Sequence, residues 1–162
     1  MTKARHFTLP FRLTRWILSN KFVNIILVED NPLDVLVVRN VIEELPVNCR
    51  LDVYSDGEEI LTYLANLDAN EDHCPDLVLL DLNIPKSSGT EVLQWIRKSV
   101  RCQKLPVILL TSSDSPRDRG QAEKLGVAHY FKKPTDLDEY MKLGPIVLRL
   151  LSEDSCDKSG AS

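Results

Sequence analysis

Three short apolar runs punctuate the chain: residues 25–28 within VNIILV, 77–80 within DLVLLD and 107–110 within PVILL. Each is too short for a helix and is bounded by polar or turn residues. Each therefore reads as a strand covered on both faces, the habit of a parallel sheet sandwiched between helices. Two weaker strands complete the set. Residues 50–54 (RLDVY) alternate polar and apolar, and residues 128–132 (AHYFK) are mixed, so both suit sheet edges, where less of a strand is covered.

Helical stretches separate the strands. Residues 33–45 follow Asn31-Pro32, a cap and first-turn pair. Residues 57–67 follow the turn-like Ser55-Asp56-Gly57, residues 90–98 place Val92, Leu93 and Ile96 on one face, and residues 116–125 are polar and end at Gly126. Residues 136–151 follow Pro134-Thr135, with Thr135 and Asp138 spaced as a capping box. Gly144-Pro145 lies inside this last helix, where a proline without an N–H should kink or break it. The alternation predicts an α/β fold: a doubly wound, five-stranded parallel sheet with the three apolar runs central and the second and fifth strands at the edges. The order 2-1-3-4-5, shared by flavodoxin-like sheets, satisfies that constraint.

Charge adds a division. Residues 1–22 carry Lys3, Arg5, Arg12, Arg15 and Lys21 and no acid, a local +5 in a chain whose net charge is −4. The rest is therefore acidic at −9, which argues against a general nucleic-acid binder. Residues 1–22 form a basic arm, 23–152 the folded domain and 153–162 a small polar tail. Leu13, Trp16 and Ile17 could share one helical face of the arm, for packing on the body or for a partner or membrane surface. No segment has the ~20 apolar residues of a membrane helix, and the arm's arginines argue against a secretory signal. Cys49, Cys74, Cys102 and Cys156 show no CxxC pair or zinc spacing. Free thiols and a reducing, cytoplasmic setting are expected, with a disulfide framework the lesser alternative.

Parallel strands present their C-terminal ends on one rim, where ligands bind. The first strand ends in Glu29-Asp30, the third in Asp81, the fourth in Thr111-Ser112-Ser113 and the fifth in Lys132-Lys133-Pro134. Taken singly, each has a plain explanation: Glu29-Asp30 as helix caps, Asp81 as a turn residue, Lys133 as a solvated loop lysine. Taken together, three carboxylates repel unless something compensates them. A hard divalent cation with oxygen ligands does so, and magnesium prefers few carboxylates, some waters and phosphate oxygens. With Lys133 as a fixed positive charge and Thr111 as a hydroxyl donor, the set looks like an anion-receiving site around a carboxylate nucleophile.

The motifs VEDNP at 28–32, LLDLNIP at 79–85, LLTSS at 109–113 and YFKKP at 130–134 resemble those of response-regulator receiver domains of two-component signalling. The resemblance covers about residues 23–152. It implies Asp81 as phosphoacceptor, Asp30 as a direct magnesium ligand, Glu29 acting mainly through water, and Asn83 offering its backbone carbonyl to the metal, with manganese as the alternative cation. It implies that Thr111 and Lys133 contact the phosphoryl group, that Tyr130 is the aromatic switch, that Ser112 leaves Thr111 room to move, and that Asn83 and Ser113 stand at rate-tuning positions. A cis bond before Pro134 is common in the family. The DNPLD, DLNIPKSSG and KKPTDLDEY segments are similar to stand-alone regulators of the cyanobacterial-phytochrome type. They imply a phytochrome-like or hybrid sensor histidine kinase upstream and output through a partner protein, a phosphorelay step or self-association as a homodimer. No DNA-binding output domain and no enzymatic role beyond its own phosphorylation and dephosphorylation are expected. Gly144-Pro145 puts the family's usual dimer face in doubt.

Other classes fit less well. An aspartyl phosphatase of the haloacid-dehalogenase type would carry a DxD pair after the first strand and a cap insertion. A flavin or nucleotide module needs a glycine- or hydroxyl-rich loop there, and Glu29-Asp30 would repel phosphate. A degenerate adaptor would not keep the acids, Thr111 and Lys133 together. His6, His73 and His129 are expected as surface or edge residues, and Trp95 as helix packing.

Overall fold

The structure, a computed structural model, describes residues 22–113 and 115–154. Five strands, β1 (Val23–Val28), β2 (Cys49–Tyr54), β3 (Leu77–Asp81), β4 (Val107–Thr111) and β5 (His129–Lys132), form one parallel sheet in the order 2-1-3-4-5. The apolar runs are central and the mixed strands lie at the edges, as expected.

A two-residue alternation is hidden inside those apolar runs. Val23, Ile25, Leu27, Leu77, Leu79, Ile108 and Leu110 face one core, shared with Val38, Val41, Tyr140 and Val147. Ile26, Val28, Val78, Leu80, Val107 and Leu109 face the other, shared with Ile60, Leu64, Val92 and Ile96. Successive side chains of a strand point to opposite faces, so a strand covered twice must be apolar at every position.

Helices α1 (Pro32–Glu43), α5 (Leu137–Tyr140) and α6 (Leu143–Asp154) supply the first layer; α2 (Gly57–Asn70), α3 (Gly89–Lys98) and α4 (Pro116–Lys124) supply the second. Side-chain caps start them. Asn31 accepts from the Leu33 N–H at 2.9 Å, and Asp56 from the Glu59 N–H at 2.9 Å. Ser88 and Glu91 form a full capping box. Trp95 is half-buried against the second core, and burial, with the charges of Arg149 and Arg119, lowers the pKa of His129.

Three expectations about helix ends and peptide bonds are corrected. The last helix is broken, but ahead of Gly144-Pro145: the chain turns at Met141-Lys142, and Pro145 falls in the first turn of α6. There its missing N–H has no intrahelical partner to lose. The cap of α5 is Asp136, which accepts from the Asp138 N–H at 2.8 Å, in place of Thr135. All described peptide bonds are trans, the one before Pro134 included.

The cysteines are not all free. Cys74 and Cys102 form a disulfide, Cα to Cα 5.8 Å, between the segments entering the neighbouring strands β3 and β4. Strand adjacency, invisible in a 28-residue separation, brings them together. Cys49 is the free cysteine among the described residues, its thiol pushed up to about 11 by burial and by Asp76. Cys156, His6, Leu13, Trp16 and Ile17 lie outside the described residues, as do most of the expected arm and tail.

Candidate functional site

Each strand delivers its terminal polar residues to the same rim because the strands are parallel and nearly in register: Val28 pairs with Leu80, and Asp81 with Leu110. Glu29 and Asp30 follow β1, Asp81 closes β3, Thr111 closes β4 and Lys133 follows β5. Glu29, Asp30 and Asp81 each present a carboxylate oxygen within 4.8 Å of the others, with Glu29 and Asp81 buried and Asp30 exposed. An all-oxygen, all-anionic donor set of this spacing suits a hard divalent cation.

Lys133 answers that charge. Its ammonium donates to Glu29 Oε2 at 2.5 Å, Asp81 Oδ2 at 2.6 Å and Asp34 Oδ2 at 2.9 Å. Its side chain is only 9% exposed. Burial alone would lower the lysine's pKa, but the hydrogen bonds to Asp81, Glu29 and Asp34 together outweigh it and hold it above the ordinary value. Burial raises Glu29 above the usual carboxylate range, against the opposing pull of Lys133 and the Asn31 N–H.

The acids are also held from behind. The Asn31 N–H donates to Glu29 Oε1 at 3.0 Å, and the Asn83 N–H to Asp81 Oδ1 at 2.8 Å. Asp81 thus keeps one oxygen on the backbone and the other on Lys133. Thr111 is fully buried, its hydroxyl oxygen accepting from the Ser113 N–H at 3.1 Å. Tyr130 is turned elsewhere: its hydroxyl donates to the Ser113 carbonyl at 2.9 Å, and Arg119 lies 5.3 Å from its ring centroid.

Asp34 belongs to this cluster and was not singled out from the sequence. An acid in the first turn of a helix has an ordinary explanation in the helix dipole, so its placement beside Lys133 gave no separate signal. Tyr140 is a second addition. Its hydroxyl is buried with no hydrogen-bond partner among the described residues, and burial, with the negative charge of Asp34, raises its pKa.

Gly89 explains the small residue in KSSG. A Cβ there would lie 2.4 Å from the Asp81 carbonyl oxygen and 2.8 Å from Leu82 Cα, both rigid backbone. The Gly89 N–H also donates to the Leu82 carbonyl at 3.1 Å, pinning the loop that leaves Asp81. Gly89→Ala is therefore expected to push β3 and α3 apart at the site. Urea unfolding should show a loss of about 1–3 kcal/mol, the usual range for overpacking. An unchanged midpoint would contradict this packing.

The chain is 36% identical over 115 residues to the probable methanogenesis regulatory protein FilR2 of Methanothrix harundinacea, covering 71% of this chain and 74% of that protein. It is 32% identical over 126 residues to the response regulator Rcp1 of Synechocystis, covering 77% and 86%. The Mn(2+)-bound crystal structure of Rcp1 superposes with a TM-score of 0.65 at 28% identity, covering 86% of this chain and 96% of that one. The phosphorylated cyanobacterial phytochrome response regulator RcpA superposes with a TM-score of 0.75 at 30% identity, covering 82% and 96%. Residues 25–143 match the model of the response regulator receiver domain, and the chain belongs to that family of two-component signalling proteins.

Proposed function

We propose that the chain is a response regulator that accepts a phosphoryl group on Asp81 from the phosphohistidine of a sensor histidine kinase. The observation that carries this reading is the Asp81 carboxylate. It is buried at the end of a central strand, oriented by the Asn83 N–H and Lys133, and within 4.8 Å of Glu29 and Asp30. In the proposed step an Asp81 oxygen attacks phosphorus and the P–N bond breaks. The imidazole leaves with the electron pair of that bond and is then protonated. Asp30, Asp81 and the Asn83 carbonyl would hold magnesium or manganese, with Glu29 acting through water. The cation supplies charge neutralisation between the acids and the phosphoryl oxygens. Lys133 orients one phosphoryl oxygen and Thr111 donates its hydroxyl to another.

The added charge would draw Thr111 and Lys133 inward and release Tyr130 from the Ser113 carbonyl, changing a surface read by a partner protein or a second copy. The likeness to RcpA and Rcp1 supports a phytochrome-like or hybrid kinase upstream. A cytoplasmic setting is part of this reading; among the described residues no helix is long and apolar enough to cross a membrane. In this reading residues 1–22 are an arm, 23–152 the receiver and 153–162 a tail.

The test is intact mass after incubation with acetyl phosphate. Wild type with magnesium should gain one phosphoryl group, and a chelator should prevent the gain. Absence of any adduct under magnesium, or multiple turnover of phosphate esters, would overturn the proposal.

A further inference from the structure

An ammonium has three N–H donors and no lone pair. All three on Lys133 go to carboxylates: Glu29, Asp81 and Asp34. A phosphoryl oxygen that is to be held by Lys133 must therefore displace one of them. The three are not equally replaceable. Glu29 is 1% exposed at its side chain and has its other oxygen on the Asn31 N–H; Asp81 is 7% exposed and has its other oxygen on the Asn83 N–H. Asp34 is 26% exposed, makes the longest of the three bonds, and its side chain has no second hydrogen bond among the described residues. It is the acceptor that can swing to water.

Resting on the phosphoacceptor reading of Asp81, we infer that Asp34 is a positioning residue that restrains Lys133: it occupies the N–H that an incoming phosphoryl oxygen must take, and so sets how readily the site admits a phosphodonor anion. Charge acts in the same direction. Glu29, Asp34 and Asp81 share a single lysine, Asp30 lies within 4.8 Å of Glu29 and Asp81, and each carboxylate repels an arriving anion. Neutralising Asp34 frees a donor and removes one repulsion together, whereas loss of a merely structural contact would leave the site less ordered and slower.

The experiment follows phosphorylation of the full chain by acetyl phosphate in magnesium, resolving maximum rate from half-saturating concentration, alongside equilibrium binding of beryllofluoride, a phosphoryl mimic that needs no chemistry. Asp34→Asn should lower the half-saturating acetyl phosphate concentration about fivefold, the scale expected for one charge removed near the site in salt-screened water. The maximum rate should change little, and the beryllofluoride dissociation constant should fall by a similar factor. Asp34→Ser, a second neutral variant, should behave alike. Asp34→Glu, which keeps the charge, should stay near wild type. Glu43→Gln, which removes an acid from the far end of α1, should also leave both values unchanged. If wild type takes up phosphoryl and both neutral variants are equal to it or weaker, Asp34 does not restrain Lys133. An equal gain in Glu43→Gln would assign the effect to net charge and overturn the inference as well. Failure of wild type itself to take up phosphoryl would instead remove the reading beneath it.

Discussion

Asp81→Asn takes up no phosphoryl group from acetyl phosphate and magnesium, while its fold and cooperative melting survive; that is the expected result of largest effect. The carboxylate has two separate duties in the structure: Oδ1 accepts from the Asn83 N–H and Oδ2 accepts from Lys133. An asparagine has the same shape but a single acceptor oxygen, so it can keep only one of those bonds. Its NH₂ group then faces a donor, either the backbone N–H or the ammonium. The amide is also a poor nucleophile and a poorer ligand for a hard cation than the carboxylate it replaces. The fold should hold because removing one of the clustered charges relieves repulsion with Glu29 and Asp30, offsetting the lost hydrogen bond. Intact mass reads the adduct, and circular dichroism with a thermal melt reads the fold. The same adduct on Asp81→Asn would place the nucleophile on another side chain and sink the assignment.

Lys133→Met should cost stability as well as phosphoryl transfer. Methionine fills similar space but leaves Glu29 and Asp81 buried together with no counter-charge. Removing one partner of a buried pair costs about 3 kcal/mol or more. The pH dependence distinguishes this cause from a packing defect. In wild type the pKa of Lys133 is raised, so its stabilisation is complete below the ordinary lysine value and is lost only as pH rises through the folded one. Across the neutral range that contribution is constant. Glu29 is already above the usual carboxylate range because of burial, and Lys133 is among the influences holding it down. Without the lysine it rises further. A carboxylate with a raised folded pKa stabilises below its unfolded pKa, and that stabilisation is lost as pH rises through the folded value. The deficit of Lys133→Met relative to wild type should therefore widen as pH rises above the ordinary carboxylate range and narrow as pH falls towards it. Urea unfolding at several pH values measures it. A deficit independent of pH would mean that lost packing, and not stranded charge, is the cause.

Much of the molecule is legible before any coordinates. The runs at 25–28, 77–80 and 107–110 are apolar at every position because β1, β3 and β4 are covered on both faces, and the edge strands betray themselves by mixed composition. Helix starts are local events, so Asn31-Pro32 could be read directly. The break in the last helix was expected from Pro145, yet its location was not, because whether a proline interrupts a helix or begins one depends on where the chain turns.

Amino-acid order by itself determined the strand and helix alternation, the chemical kind of residue at each rim, and hence a site of carboxylates facing a lysine. Those are properties of one segment at a time, and a parallel sheet needs only similar register to gather them. Tertiary structure alone decided which distant side chains share a donor or a bond. Asp34 reaches Lys133 across 99 positions, and Cys74 meets Cys102 across 28, because adjacency of helix, strand and loop is set by how layers pack. Spacing along the chain carries no record of that packing. An acid in a first helical turn and a lone cysteine before a strand look the same whether or not a partner awaits them.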